Sequence, residues 1–255
     1  MLHPRLAIVL IGCVCSAHAA SAQASGSAAF TPPSTPADST GATGLALVHR
    51  GPPLWRASAV ALGSAAVLSL ADGPIMRGVA RVRTSDLHLQ RASAVASALG
   101  GIGPLALGTA LWGGGALASN DFVEGLGRQS TEAVLLSGAI TIGVKGLIGR
   151  ARPSSSPDDP DSYSLGHGFF NANRASFPSG HTSAAFAMAT VLSSELAARH
   201  PKHKLLIRGV LFAVASSVGL SRMYQNAHWP SDVVTGAALG TLSGMQTLSW
   251  HRGKR

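Results

Sequence analysis

The chain has 255 residues, of which 12% are charged and 46% hydrophobic, with 30 glycines and a formal net charge of +9. This length suits one domain, and few charges with many small residues fit a packed helical bundle, in water or in a membrane, and exclude a disordered chain. The positive charge does not point to nucleic acid, because the basic residues are not gathered into one run and aromatics reach only 5%.

Residues 1–22 read as a signal peptide or N-terminal anchor. Arg5 supplies a positive start, residues 6–14 an apolar core, and Ala17-His18-Ala19 a small-residue cleavage site, with Ala22-Gln23-Ala24 as a second candidate. The core is too short to read as a span. Both cysteines, Cys13 and Cys15, lie here, so a mature chain would carry no thiol. Leu10-Ile11-Gly12-Cys13 also resembles a lipoprotein cleavage box, which would make Cys13 a lipid anchor. Residues 23–53, rich in Ser, Ala, Thr, Gly and Pro, read as a flexible linker.

A helical domain is expected over residues 54–250, followed by a basic tail at 251–255. Its apolar stretches are 57–71, 92–119, 130–148, 182–198, 205–220 and 233–250. They exceed ordinary strand lengths, and Ala and Leu favour helix. The expectation is an all-α bundle of about six helices without a sheet, embedded in a membrane.

Three strings sit at the ends of these stretches. Lys145 lies near the end of 130–148, and Arg152-Pro153 follows, where proline stops a helix. Pro178-Ser179-Gly180-His181 opens the next stretch, whose unpaired backbone N–H groups would face an anion. Ser221-Arg222 closes the fifth. His228-Trp229-Pro230-Ser231-Asp232 opens the last, with Pro230 and Ser231 suited to a helix start. In an up-down bundle the two connections holding these strings emerge at the same end, as a shared site requires.

The residue types suit phosphoryl transfer. A charge pair at ~4 Å is worth roughly 4 kcal/mol at an effective dielectric near 20, so Lys145, Arg152 and Arg222 can offset the repulsion between phosphate oxygens and a nucleophile. Ser179 and the Gly180 N–H can add hydrogen bonds. Asp232 lies four residues after His228 and can reach its imidazole, fixing the tautomer and supporting positive charge. His228 is then the candidate nucleophile and His181 the candidate general acid.

The strings Lys145-x6-Arg152-Pro153, Pro178-Ser179-Gly180-His181 and Ser221-Arg222-x5-His228-x3-Asp232 resemble the signature of the type-2 phosphatidate phosphatase family. Its superfamily also contains bacterial class A acid phosphatases and vanadium haloperoxidases. The chain departs from the pattern nowhere, and the similarity covers residues 89–248. The resemblance implies an all-helical bundle and phosphatase chemistry without a metal or other cofactor. It implies that Lys145, Arg152, Arg222, Ser179 and Gly180 bind phosphate, that His181 is the acid, His228 the nucleophile and Asp232 its partner.

Taken singly, these residues have simpler readings. A basic residue near a helix end often only complements the dipole, and Pro-Ser-Gly is usually a turn with a helix cap. His228 and Asp232 have metal-pair spacing, but no second ligand cluster is visible in the sequence and three nearby cations would repel a metal. Arg150 and Arg174 lie outside the pattern and are not assigned to the site; solvated surface charge suffices for either. The same reading serves Asp158, Asp159 and Asp161. His49, His88, His167, His200, His203 and His251 receive no role. Trp229 packs beside His228 or lines a substrate mouth.

Orientation follows from charge. If 57–71 does not span, the catalytic connections face the periplasm, while Arg199, Lys202, Lys204, Arg208 and the tail face the cytoplasm. The expected substrate is then a lipid phosphate. A soluble periplasmic acid phosphatase acting on small phosphorylated molecules is the alternative. A vanadate-dependent haloperoxidase is less suited to so short a chain. No nucleic-acid partner is expected, and the sequence does not specify an oligomeric state.

Overall fold

The computed structural model describes residues 63–83 and 87–252. The leader, the linker and both cysteines lie outside the described residues, as do residues 54–62 and 253–255. Residues 63–69 are helical. After a turn come α1 (Asp72–Val82), α2 (Leu87–Ala98), α3 (Gly103–Leu117), α4 (Asp121–Ile148), α5 (Gly180–Arg199), α6 (Lys204–Tyr224) and α7 (Pro230–Arg252). Among the described residues there is no strand, only an isolated antiparallel bridge between Arg150 and Tyr163. The expected all-α bundle is what forms.

Three elements depart from the expected boundaries. The stretch 92–119, expected as one helix, is broken into α2 and α3, which meet at 49°. Gly100, Gly101 and Gly103 interrupt it, and Pro104 fits the first turn of the new helix. Helix α4 begins at Asp121 rather than 130. The Asn120 side chain accepts from the Val123 N–H at 3.1 Å, and Asp121 and Glu124 complement the dipole. The charges that ended the apolar run are therefore helix-start signals. Helix α1 was not expected, since its charges read as punctuation. It is amphipathic, and Ile75, Met76 and Val79 pack on Met223 and Trp229.

Helix α5 runs through the centre and packs on α4, α6 and α7. One core cluster joins Leu126, Ala133 and Val134 to Ala187, Met188, Val191 and Leu248; a second joins Phe186 and Ala189 to Ala215, Val218 and Ala237. Ala, Gly, Ser and Thr dominate the inward faces. On α4, Ser130, Ser137 and Thr141 are buried, whereas Leu135, Ile142 and Leu147 point out with 55%, 66% and 61% of their surface exposed. Large apolar side chains outside and small polar ones inside suit lipid surroundings. Asp121–Ile148 and Pro201–Tyr224 are long and apolar enough to cross a membrane, and the bent α2–α3 pair joins them if counted as one span.

The connection from α4 to α5 is long, and such connections are usually functional. Gly149 ends α4 at φ 62°, a left-handed conformation that glycine adopts without strain. The loop then folds back on itself: Ala151 N–H donates to Ser162 O at 2.9 Å, Arg152 N–H to Asn173 O at 2.9 Å, and Ser176 N–H to Arg150 O at 3.1 Å. It includes short turns at His167–Phe169 and Ala172–Arg174.

The contact between α5 and α7 depends on absent side chains. A Cβ at Gly240 would overlap the Ser183 carbonyl oxygen. Gly240→Ala should therefore lower the unfolding midpoint in detergent, corresponding to a loss of about 1–3 kcal/mol from forced separation of the helices.

Candidate active site

The three strings meet at one end of the bundle. Lys145 is in the last turn of α4, and Arg222 is in the last turn of α6. His181 and Asp232 are in the first turns of α5 and α7. Arg152 follows α4, and His228 lies just before α7. The helix ends are tied directly, since Ser179 N–H donates to the Asp232 carbonyl at 2.9 Å.

The cations are held by neutral oxygens. Lys145 Nζ donates to the carbonyls of Ala175 and Ser176 at 2.7 and 3.2 Å. Arg152 Nε donates to Ala172 O at 2.9 Å. Arg222 Nη1 donates to Ser97 Oγ at 2.7 Å and to Gln225 Oε1. Among the described residues, none of the three forms an ion pair with a carboxylate. Their charge is therefore available to an anion, and guanidinium groups can each bind two oxygens.

His228 is almost fully buried, and its Nδ1 lies 3.6 Å from Asp232 Oδ2. That exceeds hydrogen-bond range, and Nδ1 has no hydrogen-bond partner. The same Oδ2 accepts from Ser176 Oγ at 2.5 Å and from Trp229 N–H at 2.9 Å, so the carboxylate is fixed in direction. Burial pushes the His228 imidazole down to about 4; Asp232 opposes that fall, while Lys145 and Arg152 add to it. The imidazole is thus neutral at ordinary pH, the form with a lone pair to donate. With Nδ1 facing Asp232, Nε2 is the nitrogen left to react.

Arg150 corrects the sequence reading. It is not a solvated surface charge: its side chain is 1% exposed and lies between two buried carboxylates. Nη1 donates to Asp232 Oδ1 at 2.7 Å and Ser231 Oγ at 2.8 Å. Nη2 donates to Asp72 Oδ2 at 2.7 Å and Pro160 O at 2.7 Å, and Nε donates to Pro160 O at 2.9 Å. The rings of Tyr163 and Trp229 lie 5.4 and 5.5 Å from its guanidinium carbon. Asp72 had no local signature to reveal it. It sits 159 residues before Ser231, whose N–H and hydroxyl both donate to it.

Helix α2 and its break supply a wall that the motifs do not contain. Ser97 holds Arg222, and a Cβ at Gly101 would lie 3.2 Å from His181 Nε2. The glycine pair in an apolar run was the available signal, since such glycines mark close approach or a break. The Ser179 hydroxyl is placed as a helix cap, paired with Thr182 Oγ1 at 2.8 Å, while Gly180 lies against Lys145 and Thr141. Trp229 is fully buried and donates from Nε1 to Ala151 O at 2.9 Å, so it supports Arg150 instead of lining a mouth. Asp158, Asp159 and Asp161 are exposed, as expected. No group of three or more His, Cys, Asp or Glu side chains is arranged to hold a metal among the described residues.

Residues 129–255 match the PAP2 superfamily. A lipid A 1-phosphatase of Porphyromonas gingivalis is 48% identical over 69 residues, covering 27% of this chain and 15% of that protein. Lipid phosphate phosphatase 1 of Arabidopsis thaliana is 35% identical over 129 residues, covering 43% of this chain and 39% of that protein. The chain spans less than half the length of these curated relatives. The transmembrane PAP2-type phosphatidylglycerolphosphate phosphatase of Bacillus subtilis shares the fold, with a TM-score of 0.53, 22% identity, and coverage of 79% of this chain and 97% of that one.

The unpaired cations can be tested without knowing a substrate. Lys145→Met and Arg152→Met should each weaken binding of inorganic phosphate, measured by calorimetry in detergent, by about tenfold, near 1.4 kcal/mol.

Proposed function

Carrying a PAP2 superfamily domain over residues 129–255, this chain is, we propose, a metal-independent phosphatase of lipid phosphate monoesters or diphosphates. It works through a phosphohistidine on His228 at the periplasmic face of a membrane. The observation that carries the reading is the meeting of three carboxylate-free cations with His181 and the Asp232-facing His228 at one end of a helical bundle.

His228 Nε2 donates its lone pair to phosphorus, and the phosphorus–oxygen bond to the leaving group breaks. His181 gives its proton to the departing oxygen. Asp232 supports the positive charge that develops on the His228 ring. Lys145, Arg152, Arg222 and the Gly180 N–H hold the remaining oxygens as charge spreads over them. Ser179 contributes by capping α5 and so aiming that N–H. Water then gives a proton to His181 and attacks phosphorus, the phosphorus–nitrogen bond breaks, and inorganic phosphate leaves.

A lipid substrate is supported by the outward leucines and isoleucines of α4 and α6 and by the names of the curated relatives. The exposed apolar faces also disfavour a soluble acid phosphatase. Charge supports the orientation. The catalytic end lies opposite Arg199, Lys202, Lys204 and Arg252, and basic connections stay in the cytoplasm. The orientation requires that the apolar stretch 57–71 does not span, and its fifteen residues are short for a crossing; α1, with 11 residues, is shorter still. A reporter fused after Lys204 should be cytoplasmic, and a periplasmic signal would reverse the assignment.

Rapid quench with phosphate-labelled phosphatidate should trap acid-labile phosphate on His228. His228→Ala should abolish turnover while the protein still elutes as a folded species. His181→Ala should lose at least a hundredfold in kcat on phosphatidate, yet retain activity on p-nitrophenyl phosphate, whose leaving group needs no proton. Label on another residue would reject the mechanism. Hydrolysis of p-nitrophenyl phosphate without any of a lipid phosphate panel would favour the acid phosphatase reading.

The pH profile has a definite sign. A nucleophile with its pKa at about 4 is lost only as pH falls through that value. In His181→Ala with p-nitrophenyl phosphate, kcat/KM should therefore show an acid limb near 4 in addition to the substrate's own ionisation. A limb near 6.5 would mean that His228 is not buried as described.

A further inference from the structure

We propose that Asp72 and Arg150 are positioning residues for the Asp232–His228 pair, forming with Ser231 a buried relay that begins on α1, outside the residues matched to the superfamily. The inference rests on the phosphatase reading above, which assigns Asp232 and His228 their roles.

Every hydrogen that Arg150 can donate is used. A guanidinium has five N–H donors, and five hydrogen bonds leave it, reaching Asp232, Ser231, Asp72 and the Pro160 carbonyl. Such complete use fixes its rotation. The Asp232 carboxylate is fixed in turn, because Oδ1 is taken by Arg150 while Oδ2 faces Ser176, Trp229 N–H and His228. Without Arg150 the carboxylate would keep only its Oδ2 contacts with Ser176 and Trp229 N–H, and rotation about them would shift the charge that faces His228 Nδ1.

Asp72 does the same for Arg150. Burial raises the Asp72 carboxyl and the hydrogen bonds from Ser231 and Arg150 oppose that rise; with both carboxylates ionised, the guanidinium between them leaves one negative charge in the relay. That residual charge faces His228, where positive charge develops during transfer. Asp72 also accepts from the N–H and the hydroxyl of Ser231, one residue from Asp232, and so anchors the first turn of α7. Arg150 therefore differs from Lys145, Arg152 and Arg222: its charge is fully paired, so it takes no part in holding phosphate.

The variants are Asp72→Asn, which keeps shape, Ser231→Ala, which keeps both charges, Arg150→Met, and Arg150→Lys. Single-turnover quench with phosphate-labelled phosphatidate reads two quantities. The amplitude of phosphohistidine counts competent sites, and the rate reports their geometry. Positioning residues should lower the rate by tenfold to a hundredfold in Asp72→Asn and more in Arg150→Met. Amplitude and inorganic phosphate affinity should stay within twofold of wild type, and Arg150→Lys should recover part of the rate. The Asp72→Asn and Arg150→Met losses should also be non-additive, since both act through one carboxylate. A reduced amplitude at wild-type rate in Asp72→Asn would show a purely structural role and overturn the proposal. If Arg150→Met does not fold, Asp72→Asn and Ser231→Ala decide the matter by the same readout. Failure of the wild type to form phosphohistidine would instead reject the phosphatase mechanism, a result distinguishable from wild-type rates in the variants.

Discussion

A guanidinium sealed from water between two carboxylates is the interaction on which the motif-bearing end of the bundle depends. Removing Arg150, Asp72 and Asp232 from water costs several kcal/mol for each charge before any contact is made. The cost is offset only because every donor finds an acceptor and both carboxylates are bonded on each oxygen. In meeting that condition the cluster joins parts distant in sequence. It links α1 through Asp72, the long α4–α5 connection through Pro160 and Arg150, and α7 through Ser231 and Asp232. Aromatic rings from Tyr163 and Trp229 close over it.

Around that point the bundle obeys an unusual division. The interior is built from glycine, alanine and small hydroxyl residues, and the large apolar residues of α4 and α6 face outward. Helices lined with small residues approach closely, so their termini converge within hydrogen-bond reach, as the Ser179–Asp232 backbone contact shows. The cations can remain without carboxylate partners because neutral carbonyls orient them without cancelling their charge. Close packing and electrostatic availability are thus two results of one choice of residues.

The sequence made the main features legible for physical reasons. Helix-length apolar runs and the motif strings at their ends predicted convergence, because antiparallel helices return chain ends to one side. Boundaries were harder. Asp121 and Glu124 looked like interruptions because charge lowers apparent hydrophobicity, although negative charge at a helix start is favourable. Gly100 and Gly101 lay in a run with no charge to break it, and only their conformational freedom marked the bend. Arg150 was misread as solvated because its two partners are separated from it by 78 and 82 positions. No local pattern carries such a pairing. Ser179 matches a phosphate-binding signature and a helix cap equally well in sequence, and the fold turns its hydroxyl toward Thr182.

The break between α2 and α3 divides responsibility within the molecule. All the motif residues lie on α4 and beyond, but Gly101 stands against His181, the acid of the proposed mechanism, and Ser97 steadies Arg222. These contacts come from the N-terminal side of the region matched to the superfamily. Substitutions around residues 97–101 would therefore be felt directly by His181 and Arg222. A side chain added at Gly100 would meet Val218 and the His181 carbonyl, so this short segment is held to glycine by the same residues that it positions.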